Sequence, residues 1–153
     1  MRVISLYQPY ATLMVLGLKT NETRSWDTNY RGPLAIHATA GMPKWCCDLL
    51  QEEPFKTELA GIELPKGCIV GTVEVIGTVD AKTWAFEACK KIGFQRDPNW
   101  KKTLQEICYG DYSENRFAWQ TKNPVLFETP IPAKGKQGFW NYEIPPLNQP
   151  TNQ

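Results

Sequence analysis

The chain has 153 residues, a length that suits one domain able to bury its own hydrophobic core. Its 17 Lys and Arg against 16 Asp and Glu exclude a strong overall attraction to nucleic acid or membrane, so any basic patch must come from segregated charge. Five cysteines without CxxC spacing and a single histidine argue against a disulfide framework and a zinc site. We therefore expect reduced thiols in a cytoplasmic protein without a membrane-spanning segment, a metal or another cofactor.

The N-terminal part of the sequence alternates short strands with one helix. Residues 3–6 are predicted to form a buried strand, and the helix begins after Pro9 and ends at Gly17, because glycine readily adopts the left-handed conformation that ends helices. Further strands are predicted at residues 20–26 and 32–39. The segment between the helix and the first of these strands is therefore held by rigid elements on both sides.

The most informative stretch lies at that junction. In an extended chain alternate side chains share a face, so Glu22, Arg24 and Trp26 are predicted to lie together, and Lys19 can join them from the preceding turn. Two cations and a carboxylate on a rigid scaffold are typical of a binding or catalytic site. A purely structural cluster of ion pairs is the alternative.

The remaining sequence indicates many short strands and a helix-rich segment. The predicted elements are a helix at 43–59, a long strand at 68–80 bent at Gly71 and Gly77, helices at 81–92 and 101–108, strands at 116–122, 125–127 and 139–144, and a loop at 131–138. Residues 81–108, where Lys and Arg are concentrated, are called the helical insertion below. The pattern predicts an α+β fold, a small and partly closed mixed β-barrel with peripheral helices.

Several blocks of the sequence together resemble the ASCH family, a domain named for a transcriptional coactivator. In order they are Ser5-Leu6-x-Gln8-Pro9-Tyr10-Ala11, Gly17-x-Lys19-x-x-Glu22-x-Arg24-Ser25-Trp26, Arg31-Gly32-Pro33-Leu34-Ala35-Ile36-His37-Ala38, Gly67-x-x-x-Gly71-x-Val73, residues 119–124, and Ile131-Pro132-x-Lys134-Gly135. They are most similar to the coactivator's own kind of ASCH domain. The resemblance covers residues 2–144 and implies one ASCH domain over 1–144, followed by a tail at 145–153 whose low apolar content predicts disorder.

The resemblance implies a barrel similar to the PUA domains of RNA-modifying enzymes, with the GxKxxExR residues beside a cleft. It also implies binding of RNA or of a modified nucleoside or nucleotide. Some small bacterial members hydrolyse acylated cytidine with a lysine that matches Lys19, but they have a threonine where this chain has Glu22. A metal-independent hydrolase of a modified nucleoside or of RNA, with Lys19 and Glu22 as its catalytic pair, is the alternative to a binding module.

For a binding module, the predicted phosphate contacts are Lys19, Arg24, Arg31 and the helical insertion. If Glu22 pairs with Arg24, the carboxylate orients the guanidinium and leaves Lys19 free to meet a phosphate.

Aromatic side chains complete the predicted site. Tyr10 and Trp26 are predicted to stack on unpaired bases. His37 is interpreted as a structural histidine, because it lies on a predicted strand beside apolar neighbours. No serine or cysteine partner is evident in the sequence, so a catalytic triad is not expected. We expect a monomer, and a protein-interaction domain is the interpretation if the cleft proves uncharged.

Overall fold

The chain forms a six-stranded mixed sheet with five helices in the residues that the computed structural model describes, which are 1–94 and 97–146. The strands are β1 (Arg2–Leu6), β2 (Asn21–Arg24), β3 (Gly32–Ala38), β4 (Cys68–Asp80), β5 (Phe117–Pro132) and β6 (Trp140–Asn141). The helices are α1 (Tyr10–Val15), α2 (Lys44–Leu49), α3 (Phe55–Glu58), α4 (Ala81–Phe94) and α5 (Trp100–Cys108).

The sheet has the strand order β2-β5-β4-β3-β1-β6. Strands β1 and β3 are parallel, and the other neighbours are antiparallel. The predicted α+β class is confirmed, but the predicted β-barrel is not, because the edge strands β2 and β6 do not pair with each other in the described residues. Strand β6 has only two residues, and both pair with β1, so the sheet stays open.

The long strands bend where the sequence predicts. The pairing of β4 with β5 shifts register in three places, of which two are at the predicted Gly71 and Gly77 and the third lies between Thr72 and Glu74. A Cβ atom at Gly71 would lie 2.0 Å from the Val125 carbonyl oxygen, so only glycine allows this close approach. The two strands predicted at 116–122 and 125–127 are one continuous strand, β5. Asn123, with φ of 51°, is a local irregularity within that strand and does not end it.

Helix α1 lies where two hydrophobic clusters meet. Its Met14 and Val15 pack with Ile4, Ile36 and other buried residues of the sheet. Its Leu13 belongs to a second cluster, which includes Phe55, Leu59 and Tyr109. Because α1 is held on both sides, the turn that follows it has a fixed position relative to β2.

Several predicted elements differ from the structure. The strand predicted at 139–144 is only the two-residue β6, and the loop predicted at 131–138 starts within β5, which runs to Pro132. The helix predicted at 43–59 is divided into α2 and α3, because Pro54 lacks an N–H donor and disfavours helical conformation at the residue before it. Strand β2 ends at Arg24, two residues earlier than predicted. The tail predicted to be disordered lies outside the described residues from residue 147 onward. Within the described residues, no helix is both long enough and apolar enough to span a membrane.

Candidate functional site

A cavity of about 890 Å³ lies against β1, β2 and β3 and the loop that follows β5, and we call it the cleft. Its charged lining residues are Lys19, Glu22, Arg24, Asp111, Arg116, Lys134 and Lys136. Among its aromatic lining residues are Tyr7, Tyr10, Trp45 and Tyr109. The cleft therefore combines ionic groups with rings that a planar ligand could contact.

Lys19, Glu22 and Arg24 meet in the cleft, as the spacing in the sequence predicts. One cation lies beside each oxygen of the Glu22 carboxylate: Lys19 Nζ is 3.8 Å from Oε2, and Arg24 Nη1 is 3.5 Å from Oε1. The Lys19 ammonium also donates a hydrogen bond to the carbonyl oxygen of Asn21. Lys19 is therefore not the free cation that a separate Glu22–Arg24 pair would leave, and its side chain is only 2% exposed.

The turn after α1 delivers Lys19 to this position. The main-chain N–H groups of Leu18 and Lys19 both donate to the Leu13 carbonyl oxygen at 3.1 Å, and Gly17 adopts a left-handed φ of 75°. This is the helix end that the sequence predicts at Gly17. The buried Leu13 side chain thus fixes the start of the lysine segment.

Glu106, a buried carboxylate of the helical insertion, holds the segment between Lys19 and Glu22 through hydrogen bonds. Glu106 on α5 accepts hydrogen bonds from the Thr20 N–H at 2.7 Å, from Thr20 Oγ1 at 3.0 Å and from the Asn21 N–H at 2.9 Å. The Tyr112 hydroxyl donates to it at 3.4 Å, and burial together with the Glu106 charge raises the pKa of Tyr112. Because Thr20 and Asn21 lie between Lys19 and Glu22, Glu106 positions the segment from which both side chains enter the cleft.

Arg116 and Asp111 extend the charged wall beyond β2. The Arg116 guanidinium donates to the Thr23 carbonyl at 3.0 Å and to the Asp111 carbonyl at 3.2 Å, and its Nε lies 3.4 Å from the Asp111 carboxylate. Hydrogen bonds from Ser113, helped by the Arg116 charge, hold the pKa of Asp111 below its usual value. The sequence interpretation did not select either residue, because both lie about 90 positions away from β2 in the chain.

His37 and Ser5 form a hydrogen-bonded pair in the lining of the cleft. The parallel pairing of β1 with β3 places them side by side, with Nδ1 of His37 3.1 Å from the Ser5 hydroxyl oxygen. Nε2 of His37 lies 2.9 Å from the Ala133 carbonyl, which can only accept, so Nε2 carries a hydrogen. Burial lowers the pKa of His37, which favours the neutral ring. The expectation that His37 has no serine partner is therefore wrong, although the ring is buried and fully bonded as a structural histidine would be.

The same network holds the loop that carries Lys134 and Lys136. The Ser5 hydroxyl accepts from Trp140 Nε1 at 3.2 Å and lies 3.2 Å from the Lys136 carbonyl oxygen. A Cβ atom at Gly135 would lie 2.6 Å from His37, so this loop can cover the ring only with glycine at that position. Both lysines are exposed and line the cleft.

The aromatic residues of the cleft are only partly those predicted. Tyr10 lines it, as predicted, and burial raises its pKa to about 12, with Cys46 and Glu22 adding to the shift. Tyr7 and Trp45, which the sequence interpretation missed, stand beside it and are 45% and 54% exposed. The Trp45 ring centroid lies 6.2 Å from that of Tyr7 and 6.2 Å from that of Tyr10. These three rings form the aromatic group of the cleft, in which Tyr7 and Trp45 are exposed and Tyr10 is half-buried.

Two predicted site residues do not line the cleft. Trp26 follows the end of β2 and packs its half-buried ring against Trp119 and Phe139, at centroid distances of 4.5 and 5.2 Å. Its ring centroid lies 6.0 Å from Arg24 Cζ, so the predicted proximity of these two side chains is confirmed, although β2 ends at Arg24 and Trp26 does not line the cleft. Arg31 is exposed, and its guanidinium donates to the carbonyl oxygens of Thr28 and Tyr30.

Charge is segregated into the cleft. Among the described residues, its lining contains five Lys and Arg and two Asp and Glu, a net charge of +3 for a chain whose total is +1. None of the described residues of α4 or α5 lines it, so the Lys side chains of these two helices lie elsewhere on the surface. The insertion supports the cleft through Glu106 and does not cover it in the described part of the chain.

Neither the cysteines nor the acidic residues indicate a metal centre. All five cysteines are free thiols, and Cys46 and Cys68 are buried. In the described stretches, no group of three or more His, Cys, Asp or Glu side chains could hold a metal ion.

Comparison with known proteins agrees with the sequence blocks. The family model described as ASCH domain matches residues 4–131. Activating signal cointegrator 1 from human is 28% identical over 146 residues, which is 92% of this chain and 22% of that protein, and the mouse protein gives the same values. The chain thus spans about a fifth of the length of these curated relatives. Among solved structures, the ASCH protein of Zymomonas mobilis is 19% identical with a TM-score of 0.47, covering 85% of this chain and 71% of the other.

Proposed function

The chain belongs to the ASCH domain family, and from that premise we propose that it is a binding module for single-stranded RNA or a modified nucleotide. The ligand would lie in the cleft, whose lining includes Lys19, Glu22 and Arg24 from the turn and β2 and Lys134 and Lys136 from the loop after β5. We further propose that it acts as a monomer, and the prediction of a cytoplasmic location stays a prediction.

The observation that carries the proposal is the segregation of charge beside exposed rings. The cleft has a net charge of +3, whereas the rest of the sequence contains 12 Lys and Arg against 14 Asp and Glu, a net charge of −2. A polyanion is therefore drawn to this one surface by local potential. The Tyr7, Tyr10 and Trp45 rings supply faces on which unpaired bases can stack.

The size of the cleft supports a flexible ligand. Pockets for drug-sized molecules span about 300–1,000 Å³, so a volume of about 890 Å³ leaves room for more than one nucleoside. Single strands present unstacked bases to aromatic side chains, whereas a duplex keeps its bases stacked inside. We therefore favour a single strand over a duplex.

The two arginines that the sequence predicts as phosphate contacts provide a matched test. Arg24 lines the cleft and Arg31 does not, and both are arginines within one short stretch. We expect Arg24→Ala to weaken the binding of a labelled single-stranded RNA pool and Arg31→Ala to leave it unchanged. Equal weakening by both variants, or by neither, would contradict the assignment of binding to the cleft.

A hydrolase of a modified nucleoside or of RNA is the second candidate. It is favoured by one observation: the Lys19 ammonium and the Glu22 carboxylate line the same cavity and lie 3.8 Å apart. A ligand bound there could exchange protons with both groups. The intact masses of the RNA pool and of N4-acetylcytidine, measured after incubation with the protein and with Lys19→Ala, distinguish the two functions. A mass change that requires Lys19 would establish an enzyme, and unchanged masses with Arg24-dependent binding would establish a binding module.

A further inference from the structure

The Glu22 carboxylate is a buried acceptor that the protein leaves open. Its side chain is 10% exposed, and it lines the cleft. Its two ion pairs, at 3.5 and 3.8 Å, are too long or too poorly aligned to be hydrogen bonds, and no described residue donates one to it. A buried carboxylate normally accepts several hydrogen bonds, because leaving a charged acceptor unsatisfied is costly. Its free lone pairs are therefore available to an N–H group of a ligand.

Donors flank this acceptor on both sides. Arg24 lies beside Oε1, and within the described residues its guanidinium makes no hydrogen bond, so its N–H groups are available. Lys19 lies beside Oε2 and uses one of its three N–H groups on the Asn21 carbonyl. In the cleft the protein thus presents the order donor, acceptor, donor.

From this order we infer that the cleft reads the imide edge of uracil. That edge presents a carbonyl oxygen, a ring N–H and a second carbonyl oxygen, so the N3–H would meet Glu22 and the two carbonyls would meet Arg24 and Lys19. This inference rests on the proposed function and gives that binding site a base preference.

The other bases match the order less well. Cytosine and adenine present a ring nitrogen without hydrogen, whose lone pair would face the Glu22 carboxylate. Guanine presents a ring N–H beside one carbonyl and an amino group, so it would leave one of the two cations without an acceptor. A recognition site that hydrogen-bonds a given group discriminates against analogues that lack it, because its own buried groups are then left unpaired.

The test uses RNA-like decamers that are abasic at every position except one, so that the phosphates are the same in every probe. The single base is uracil, N3-methyluracil, cytosine, adenine or guanine, and binding is measured by fluorescence anisotropy at one salt concentration. We expect the N3-methyluracil, cytosine and adenine probes to bind about tenfold or more weakly than the uracil probe, since a hydrogen bond to a charged group is lost. Equal binding of uracil and N3-methyluracil, or tighter binding of any other base, would overturn the inference.

Two variants separate base reading from general affinity. Glu22→Gln replaces the carboxylate with a weaker acceptor and should bring the ratio of uracil to N3-methyluracil affinity towards one. Lys134→Ala removes another cation of the cleft lining, one that makes no ion pair with Glu22, so it should weaken both probes alike and keep the ratio. A ratio unchanged in a folded Glu22→Gln protein would contradict the role of Glu22. Failure of the wild type to bind single-stranded RNA at all would instead refute the proposed binding of single-stranded RNA, on which this inference rests.

Discussion

Replacing Glu106 by glutamine tests whether the helical insertion positions the binding residues. In glutamine one carboxylate oxygen becomes an NH₂ group, which cannot accept from an N–H donor. Whichever way the amide turns, one of the two main-chain N–H groups, that of Thr20 at 2.7 Å or that of Asn21 at 2.9 Å, loses its acceptor. An unsatisfied buried donor costs about 1–3 kcal/mol. For a chain of this length, about 2 kcal/mol corresponds to a fall of roughly 4–8 °C in Tm.

The assay has two readouts and a matched control. We expect Glu106→Gln to lower Tm and also to weaken RNA binding, because Lys19 and Glu22 flank the released segment. Glu114→Gln removes an exposed carboxylate that pairs with Lys82 on the surface, and it should change neither quantity measurably. If Glu106→Gln matched the wild type in both Tm and affinity, or if Glu114→Gln had the same effects, the positioning role of Glu106 would be refuted.

Three further predictions concern the aromatic residues and the single histidine. Trp45→Ala should weaken RNA binding about 5- to 150-fold with little change in Tm, because its ring is 54% exposed and base stacking contributes about 1–3 kcal/mol. Trp119→Ala should lower the free energy of unfolding by about 3–5 kcal/mol, measured by urea titration, because its ring is fully buried. The folded-state pKa of His37 lies below its usual 6.5, so the stability it contributes should be complete above pH 6.5 and be lost as the pH falls towards the lowered value. Urea titrations from pH 8 to 5 check this, and a His37→Gln protein with the same pH dependence would contradict it.

Local signals in the sequence predicted much of the fold. The bounds of β4 and its bends followed from a run of β-branched residues interrupted by Gly71 and Gly77, and the end of α1 followed from Gly17. Long-range pairing was not predictable in the same way. Whether the sheet closes depends on whether β2 meets β6, two strands separated by more than 100 residues, and no local pattern encodes that contact.

The candidate site shows the same division. Lys19, Glu22 and Arg24 were predictable because they lie within five positions of one another, on a turn and the short strand that follows it. Ser5 and His37 are 32 positions apart and meet only through the parallel register of β1 with β3. Trp26 was placed in the site by extending the strand period beyond Arg24, where β2 ends.

The central claim is that RNA binds in the cleft and not to the basic helical insertion. Removing positive charge from each of these two surfaces in turn tests it most directly. The double variant Lys134→Ala/Lys136→Ala removes two exposed cations from the cleft, and Lys91→Ala/Lys101→Ala removes two exposed cations from the insertion, so the net charge of the protein falls equally. The measurement is the dependence of log Kd for single-stranded RNA on log salt concentration. Each lost phosphate contact lowers the slope by about 0.7, so the cleft variant should lose up to about 1.4 while the insertion variant keeps the wild-type slope. A slope that fell equally in both variants, or only in the insertion variant, would contradict binding in the cleft.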